Sequence, residues 1–433
     1  MLLEDYLEKL KKNKLEEVNK PWLNKKIISE NFFSDIYPDN KIEEWKFFDI
    51  RSAVNKNLKV FSNGIDKNKM GTKELHENAI VFNNGIYDEE LTKKSLKSKL
   101  NIYKLKEHEK INSNIYNKIH SDFNKYSEKR LSGYNDSKTV NLISLNAILN
   151  QGLVIEIPSD IHFDRPIQIY NHISSKQSLI NPYLFVIIRD NSNIEFLDIT
   201  NYSGEENWTN FFYEVYLEKN STLKMSNLSK KQTTNINTSS YNFHLDERSC
   251  LFFSSINKGF SKKDVRVFLN GESSKSIIKG MLLSNGKETN DVFCKITHNA
   301  KNTKSDQEWR MISSGNSQTS LNGKIKILKN SKKSSGNFNS KSLLLDDKAK
   351  AFSKPELEIF EDEVKCSHGA SFGEIEKEKI FYLQSRGLTK HQSIKILVLA
   401  FINELNLNDN NLKQNVFSEI ENMLLKKDNE WKN

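Results

Sequence analysis

The stretch Leu184-Phe185-Val186-Ile187-Ile188, Arg189-Asp190-Asn191-Ser192-Asn193, Ile194-Glu195-Phe196-Leu197-Asp198-Ile199 sets two short apolar runs around a polar break. β-Branched and aromatic residues fill the runs, and each has the length of a strand rather than of a helix. Asp, Asn and Ser at the break tolerate left-handed backbone and hydrogen-bond their own main chain, which is turn chemistry. The same pattern recurs. Thr222 to Leu228 follows the break Glu218-Lys219-Asn220-Ser221, and Leu153 to Ile157, Phe212 to Leu217, Leu251 to Ile256, Val265 to Leu269, Ile277 to Leu283, Val292 to Ile296, Gly323 to Leu328 and Ser342 to Leu345 continue it. No long helical pattern interrupts the series. Pro158, Pro166 and Pro182 lie near strand ends, where a missing N–H does least damage. Many short strands in one block fit a sandwich, a barrel or a β-solenoid. Their number and the Asn/Ser breaks favour a parallel β-solenoid, whose stacked coils would set these corners one above another. No strict sequence repeat accompanies them.

Helical periodicity brackets this block. At the front, Leu3, Tyr6, Leu7, Leu10, Leu15 and Val18 recur at three-to-four spacing as far as Pro21, and a second periodic segment runs from Trp22 to Phe33. Pro38 and Asp39-Asn40 mark a turn before Glu43-Glu44-Trp45-Lys46-Phe47, and Val81 to Tyr87 reads as a strand and a turn. Behind the strands, Glu374 to Ser385 reads as an amphipathic helix stopped by Gly387. Thr389-Lys390-His391-Gln392 is a capping-box pattern, followed by Ile394, Leu397, Val398, Phe401, Ile402 and Leu405 on one helical face. Leu412 to Leu425 reads as a last helix. Such a bundle would close the solenoid end, which otherwise exposes unpaired strands, or dock a partner. The expected organisation is a helical and mixed region over 1–138, a solenoid over 139–373 and a helical domain over 374–433.

The 433 residues carry a net charge of +9. The lysines are spread along the chain with acids among them, which reads as a solvated surface rather than a nucleic-acid footprint. The N-terminus Met1-Leu2-Leu3-Glu4-Asp5-Tyr6-Leu7 lacks the basic and apolar regions of a secretory signal, and the densest apolar run, Ile396 to Ile402, is too short to span a bilayer. A cytoplasmic protein without membrane contact is expected. Cys250, Cys294 and Cys366 are three widely spaced thiols. They form no disulfide framework, and they are too few for an all-cysteine cluster.

Chemistry concentrates at Lys365-Cys366-Ser367-His368-Gly369-Ala370. On a strand, Cys366 and His368 share one face, and thiol and imidazole are both metal-binding types. They supply two ligands where a cluster or a tetrahedral ion needs about four. The alternative is a buried thiol beside a hydrogen-bonded core imidazole. Cys294, Ile296 and His298 also share a face, but Ile296 makes it apolar and core filling is expected there. His162 and His244 show no convincing partners and are not read as ligands. No P-loop is present: Gly323-Lys324 lacks the earlier Gly and the following Ser/Thr. GxSxG, HExxH and GxGxxG are absent too. Asp346-Asp347 and Glu361-Asp362-Glu363 read as turn and surface charges.

Several segments, in order, resemble the SufB/SufD family of iron–sulfur cluster assembly proteins. They are Glu43 to Lys46, Asn83 to Ile86, Leu145 to Pro158, Thr297 to Gln307, Lys354 to Ile359, Lys365 to Ala370 and Phe381 to Leu388. Together they reach over most of the chain, and the last three are the most specific. Cys366-Ser367-His368-Gly369-Ala370 is similar to the SufD branch rather than the SufB branch; Ser371-Phe372 departs from the family's usual Thr-Val.

The resemblance implies a right-handed parallel β-helix between N-terminal and C-terminal α-helical regions. It implies a scaffold subunit with no turnover of its own, paired with SufB and recruiting the ATPase SufC, with sulfur arriving from a cysteine desulfurase through SufB. Cys366 and His368 would then be ligands of a transient iron–sulfur cluster shared with SufB. Phe381, Leu383, Ser385, Arg386, Gly387, Leu388, Leu397 and Phe401 would form the ATPase-docking surface. Whether a flavin joins the complex stays open. A different class, a β-helix polysaccharide lyase or hydrolase, is the alternative; the missing secretion signal and the lack of a carboxylate cluster on the strands weigh against it.

Overall fold

In the computed structural model the described residues are 36–54, 57–60, 75–92, 99–105, 136–148, 152–230, 234–407 and 410–431, with a few isolated positions outside these stretches. The two helical segments expected before Phe33 lie outside them. Numbered in chain order, the strands form two sheets. The first runs β4 (Asn101–Lys104), β5 (Gly152–Ile157), β8 (Tyr183–Ile188), β10 (Trp208–Leu217), β12 (Ile236–Leu245), β14 (Phe260–Leu269), β16 (Thr289–His298), β18 (Gln318–Ile327), β20 (Lys350–Ile359). β7 (Ser178–Ile180) joins it at β10 and carries β1 (Lys59–Val60). The second runs β3 (Ile86–Asp88), β2 (Ala79–Asn83), β6 (Ile167–Ile173), β9 (Asn193–Tyr202), β11 (Thr222–Lys230), β13 (Cys250–Lys258), β15 (Lys275–Ser284), β17 (Lys304–Ser313), β19 (Ser335–Leu344), β21 (Lys365–Glu374).

The chain alternates between the sheets, and from β5 onward every neighbour along each sheet is parallel, as in β14–β16 and β15–β17. This is a parallel β-solenoid. Among the strands of the described residues, β2–β3 and β4–β5, at the N-terminal end, pair antiparallel.

The corners stack as their Asn and Asp residues suggest. Asp160, Asn191, Asn220, Arg248, Ser273 and Asn302 all adopt positive φ, between 55° and 62°. Each donates its amide to a carbonyl of the next coil. Asn191 Nδ2 reaches Asp160 Oδ1 at 3.0 Å, and Asn220 Nδ2 reaches Asn191 Oδ1 at 3.0 Å. Among residues other than Gly, Asn and Asp tolerate this backbone best, and the Asn amide ladder bonds coil to coil, so turn chemistry and stacking reinforce each other.

Inward side chains fill the lumen with one continuous core that includes Phe196, Met225, Phe253, Trp309 and Phe338. Two glycines make room for its largest rings. A Cβ on Gly280 would meet Trp309 at 1.9 Å, and one on Gly323 would meet Phe338 at 1.8 Å.

The helices are α1 (Ile50–Ala53), α2 (Ser137–Ile148), α3 (Lys377–Ser385), α4 (Lys390–Asn403) and α5 (Asn410–Trp431). Because α2 is helical, the strand block opens at Gly152 rather than near 139. The Thr389 side chain accepts from Gln392 N and Gln392 returns the bond, so the expected capping box starts α4. Gly387, at φ 91°, ends the α3 turn.

Two expectations need correction. α3 begins only at Lys377, since β21 runs on to Glu374, and α3 buries none of its residues fully. The C-terminal helices do not close the solenoid end. Ile394, Val398 and Ile402 of α4, Leu405 just after it, and Val416 and Ile420 of α5 pack beside Leu228, Ile256, Met281, Leu283 and Ile312 on the outer face of the second sheet. That face carries an outward apolar row, and covering it buries more than capping two strand ends would.

Candidate functional site

Among the described residues β20 pairs only with β18, and β21 only with β19, so each leaves one long backbone edge unpaired. The register fixes which side chains point into this open end. Cys366 stands over Gly336, His368 over Phe338, Ala370 over Ser340 and Phe372 over Ser342. Gly336, Phe338, Ser340 and Ser342 are buried inward positions, so the β21 set continues the lumen rows past the last covered coil. From β20, Ser353, Pro355 and Leu357 sit in the matching inward rows over Leu321, Gly323 and Ile325. Ser340 Oγ and Ser353 Oγ meet at 2.7 Å and tie the two sheets just below the opening.

Cys366 and His368 therefore share the inward face of the last strand. Cys366 is half-buried against the lumen core, and His368 is exposed above the Phe338 ring. The column beneath His368 reads Phe338, Gln307, Ile278, Phe253, Met225, Phe196, and the one beneath Cys366 reads Gly336, Ser305, Ser276, Leu251. Burial pushes the Cys366 thiol up, opposed by a hydrogen bond with the Gly336 backbone. The thiol form is favoured until a cation or a neighbouring subunit changes its surroundings, since the thiolate is the ligand form.

Among the described residues no group of three His, Cys, Asp or Glu side chains is placed to hold a metal ion. The end offers one thiol and one imidazole, two donors of the right chemistry and about half of a coordination sphere.

Cys294, His298 and His244 are core, whereas His162 is exposed and Cys250 half-buried. Cys294 is fully buried, and burial pushes its thiol well above the usual range. His298 sits between Thr303 Oγ1 (2.7 Å) and Ser305 Oγ (2.8 Å), and burial lowers its pKa to about 4, so it is a neutral structural imidazole. His244 stacks between Tyr216 and Phe268, 4.6 Å from each ring. Asp346 accepts from Ser314 Oγ and Gly315 N, and Glu361 from Asn330 N, which fixes both as turn residues.

Beside the open end, α3 lifts Phe381 and Tyr382 into solvent, 74% and 58% exposed, with the Arg386 guanidinium 5.5 Å from the Tyr382 ring. Ser385 and Gly387 are exposed, and Leu383 and Leu388 half-buried. Leu397 and Phe401 flank the buried stripe of α4 and are half-buried, Phe401 lying 5.6 Å from the Arg310 guanidinium. A cavity of about 600 Å³ lies between Asp346, Glu374, Ile375, Ile380, Lys390 and Ile394. Sequence reasoning missed Phe352, Ile359, Phe360 and Phe372, exposed apolar side chains of the terminal coil. Their signal is apolar character at the last strand positions before a helix, which only the count of coils makes visible.

Residues 171–401 match the family model described as SUF system FeS cluster assembly, SufBD core domain. The chain is 36% identical over 154 residues to the iron–sulfur cluster assembly protein SufD of Escherichia coli K12, a match covering 35% of this chain and 36% of that protein. It is 25% identical over 262 residues to SufD of Bacillus subtilis 168, covering 59% and 60%. It is 22% identical over 389 residues to an iron–sulfur cluster assembly SufBD family protein of Synechocystis, covering 85% and 83%. The matched stretches thus span about a third of the first of these relatives and less than two thirds of the second.

Proposed function

Because the chain belongs to the SufB/SufD family of SUF-system iron–sulfur cluster assembly proteins, we propose that it is the SufD-type scaffold subunit, non-catalytic itself, of a cytoplasmic SufBCD complex. The observation that carries this reading is the position of Cys366 and His368 on the inward face of a terminal strand whose outer edge is free. A SufB subunit meeting this end would pair with the β20 and β21 edges and bring the remaining ligands. The nascent cluster is cargo: Cys366 would bind it as thiolate and His368 through a ring nitrogen, and the partner would exclude water from the junction. Coordination across a subunit junction ties assembly to complex formation, since neither chain alone completes the sphere.

The exposed α3–α4 surface, led by Phe381, Leu383, Ser385, Arg386, Gly387, Leu388, Leu397 and Phe401, would seat SufC. Its ATP hydrolysis would shift the pair and expose the site. The desulfurase system would deliver sulfur through SufB.

The test is anaerobic co-purification of the tagged chain with both partners, followed by iron and acid-labile sulfide determination. Cys366→Ala and His368→Ala are each expected to lower cluster yield at least about tenfold while the ATPase stays bound. Normal yield in both variants would refute the ligand assignment.

A further inference from the structure

The 43–48 segment is one of the motifs that the site does not use, and its contacts run lengthwise along the molecule. Trp45 and Phe48 are buried with Leu179, Trp208 and Ile236, at the near edges of β7, β10 and β12. Trp45 Nε1 donates to Thr139 Oγ1 of α2 at 2.9 Å. Lys262 of β14 donates to the Glu44 carbonyl and, at 2.6 Å, to Asp291 of β16. Gln318 Nε2 of β18 donates to the Phe47 carbonyl at 3.1 Å. The segment ends on the terminal coil: Phe47 stacks on Phe352 of β20 with centroids 4.6 Å apart and planes 15° from parallel, and Glu43 pairs with Lys354.

A solenoid is otherwise a one-dimensional stack in which each coil holds only its neighbours, so its last coil frays first. On the second sheet the helices buttress the outer face as far as Leu343 of β19. On the first sheet, the 43–48 segment touches the outer face of β20 through Phe352 and Lys354. From β20 the tie continues inward through Ser353 to Ser340, the residue beneath Ala370 in the row that carries Cys366 and His368.

We infer that Glu43 to Phe48 is a brace that fixes the terminal coil, with Phe47, Glu43, Phe352 and Lys354 acting as positioning residues for Cys366 and His368. The brace has two separable parts. Ring stacking supplies most of the holding, because the Glu43–Lys354 pair is exposed and screened. The ion pair sets where along β20 the segment lands. This inference rests on the reading of Cys366 and His368 as the site, but its first measurement does not.

The experiment is hydrogen exchange by mass spectrometry on the full chain. In Phe47→Ala, and separately in Phe352→Ala, peptides spanning 350–374 are expected to exchange on the order of fivefold faster, with peptides spanning 208–256 unchanged. Glu43→Lys should give a smaller acceleration at 350–374, and adding Lys354→Glu should restore the original rate. In the assembled complex Phe47→Ala should lower cluster yield several-fold with Cys366 and His368 both intact. Unchanged exchange at 350–374, or equal acceleration in every coil, overturns the brace. A loosened terminal coil with normal cluster yield overturns its positioning role. If Cys366→Ala also assembles clusters normally, the site reading fails, and the exchange result still decides whether the brace exists.

Discussion

Asp198 and Lys263 face each other inside the lumen, 1% and 5% exposed. Asp198 accepts from Asn171 (3.1 Å), Asn227 (2.8 Å) and Tyr241 (3.1 Å), and Lys263 donates to Asn227 Oδ1 5.5 Å from the Tyr241 ring centroid. Burial outweighs those donors and raises the Asp198 pKa to about 6; burial likewise lowers Lys263 to about 7. For Asp198 the folded pKa lies above the unfolded one. Its favourable contribution is full below about pH 4 and is lost as pH rises through 6, on the order of 3 kcal/mol. Lys263, depressed, has the opposite sign: its contribution is full near pH 10 and lost as pH falls through 7. The two penalties overlap between pH 6 and 7. Thermal melts of wild type and Asp198→Asn should show wild type losing ground to the variant from pH 4 to pH 7. A difference that stays constant with pH would mean that this carboxyl titrates near its ordinary value.

At the scale of elements, α4 sets a buried, fold-bearing side chain and an exposed one on the proposed docking surface within a single turn. Val398 is fully buried against the outer sheet face, whereas Ile396 is 44% exposed. Val398→Asp would bury an unpaired carboxylate and cost about 3–5 kcal/mol, read as a lowered denaturant midpoint. Ile396→Asp and Phe381→Asp should change stability by less than about 0.5 kcal/mol and yet release the ATPase in a pull-down. Full retention by both would move the docking site elsewhere. The helical stripe, the capping box and the Gly387 stop were all readable, because each is a local signal in consecutive residues. The strands were readable where their inward rows are apolar, as in β8 and β9. They were not at β12 and β17, whose lumen rows hold Ser239, Ser305 and Gln307. The absence of a sequence repeat has the same root. A column such as Phe196, Met225, Phe253, Ile278, Gln307, Phe338, His368 needs only compatible shapes in register, since the backbone ladder does the stacking. The pairing of Cys366 with His368 could be read from their spacing. Their place at an uncovered lumen could not, because it depends on where the coils stop and on the helices leaning to one side.

For the whole molecule, the two ends of the solenoid differ in a way that argues for a partner. At the N-terminal end the sheets finish in β3 and β4, short antiparallel strands of three and four residues. Short, reversed edges resist further pairing. At the other end β20 and β21 are parallel ten-residue strands with free edges, rimmed by Phe352, Ile359, Phe360 and Phe372. Two open strands with an apolar rim form a template that another sheet can extend, and the coil beneath them is already ordered to receive it. If a SufB-type subunit closes this end, its addition should slow amide exchange across 350–374 by more than about tenfold and leave 79–104 unchanged. Phe372, 53% exposed in the inward row beyond His368, would be buried at the centre of that junction. Phe372→Asp should therefore weaken partner binding by about tenfold or more, with little change in the melting temperature of the isolated chain. Protection appearing on the outer face of the first sheet instead, with Phe372→Asp binding normally, would place the partner on the side of the solenoid and leave Cys366 and His368 facing water.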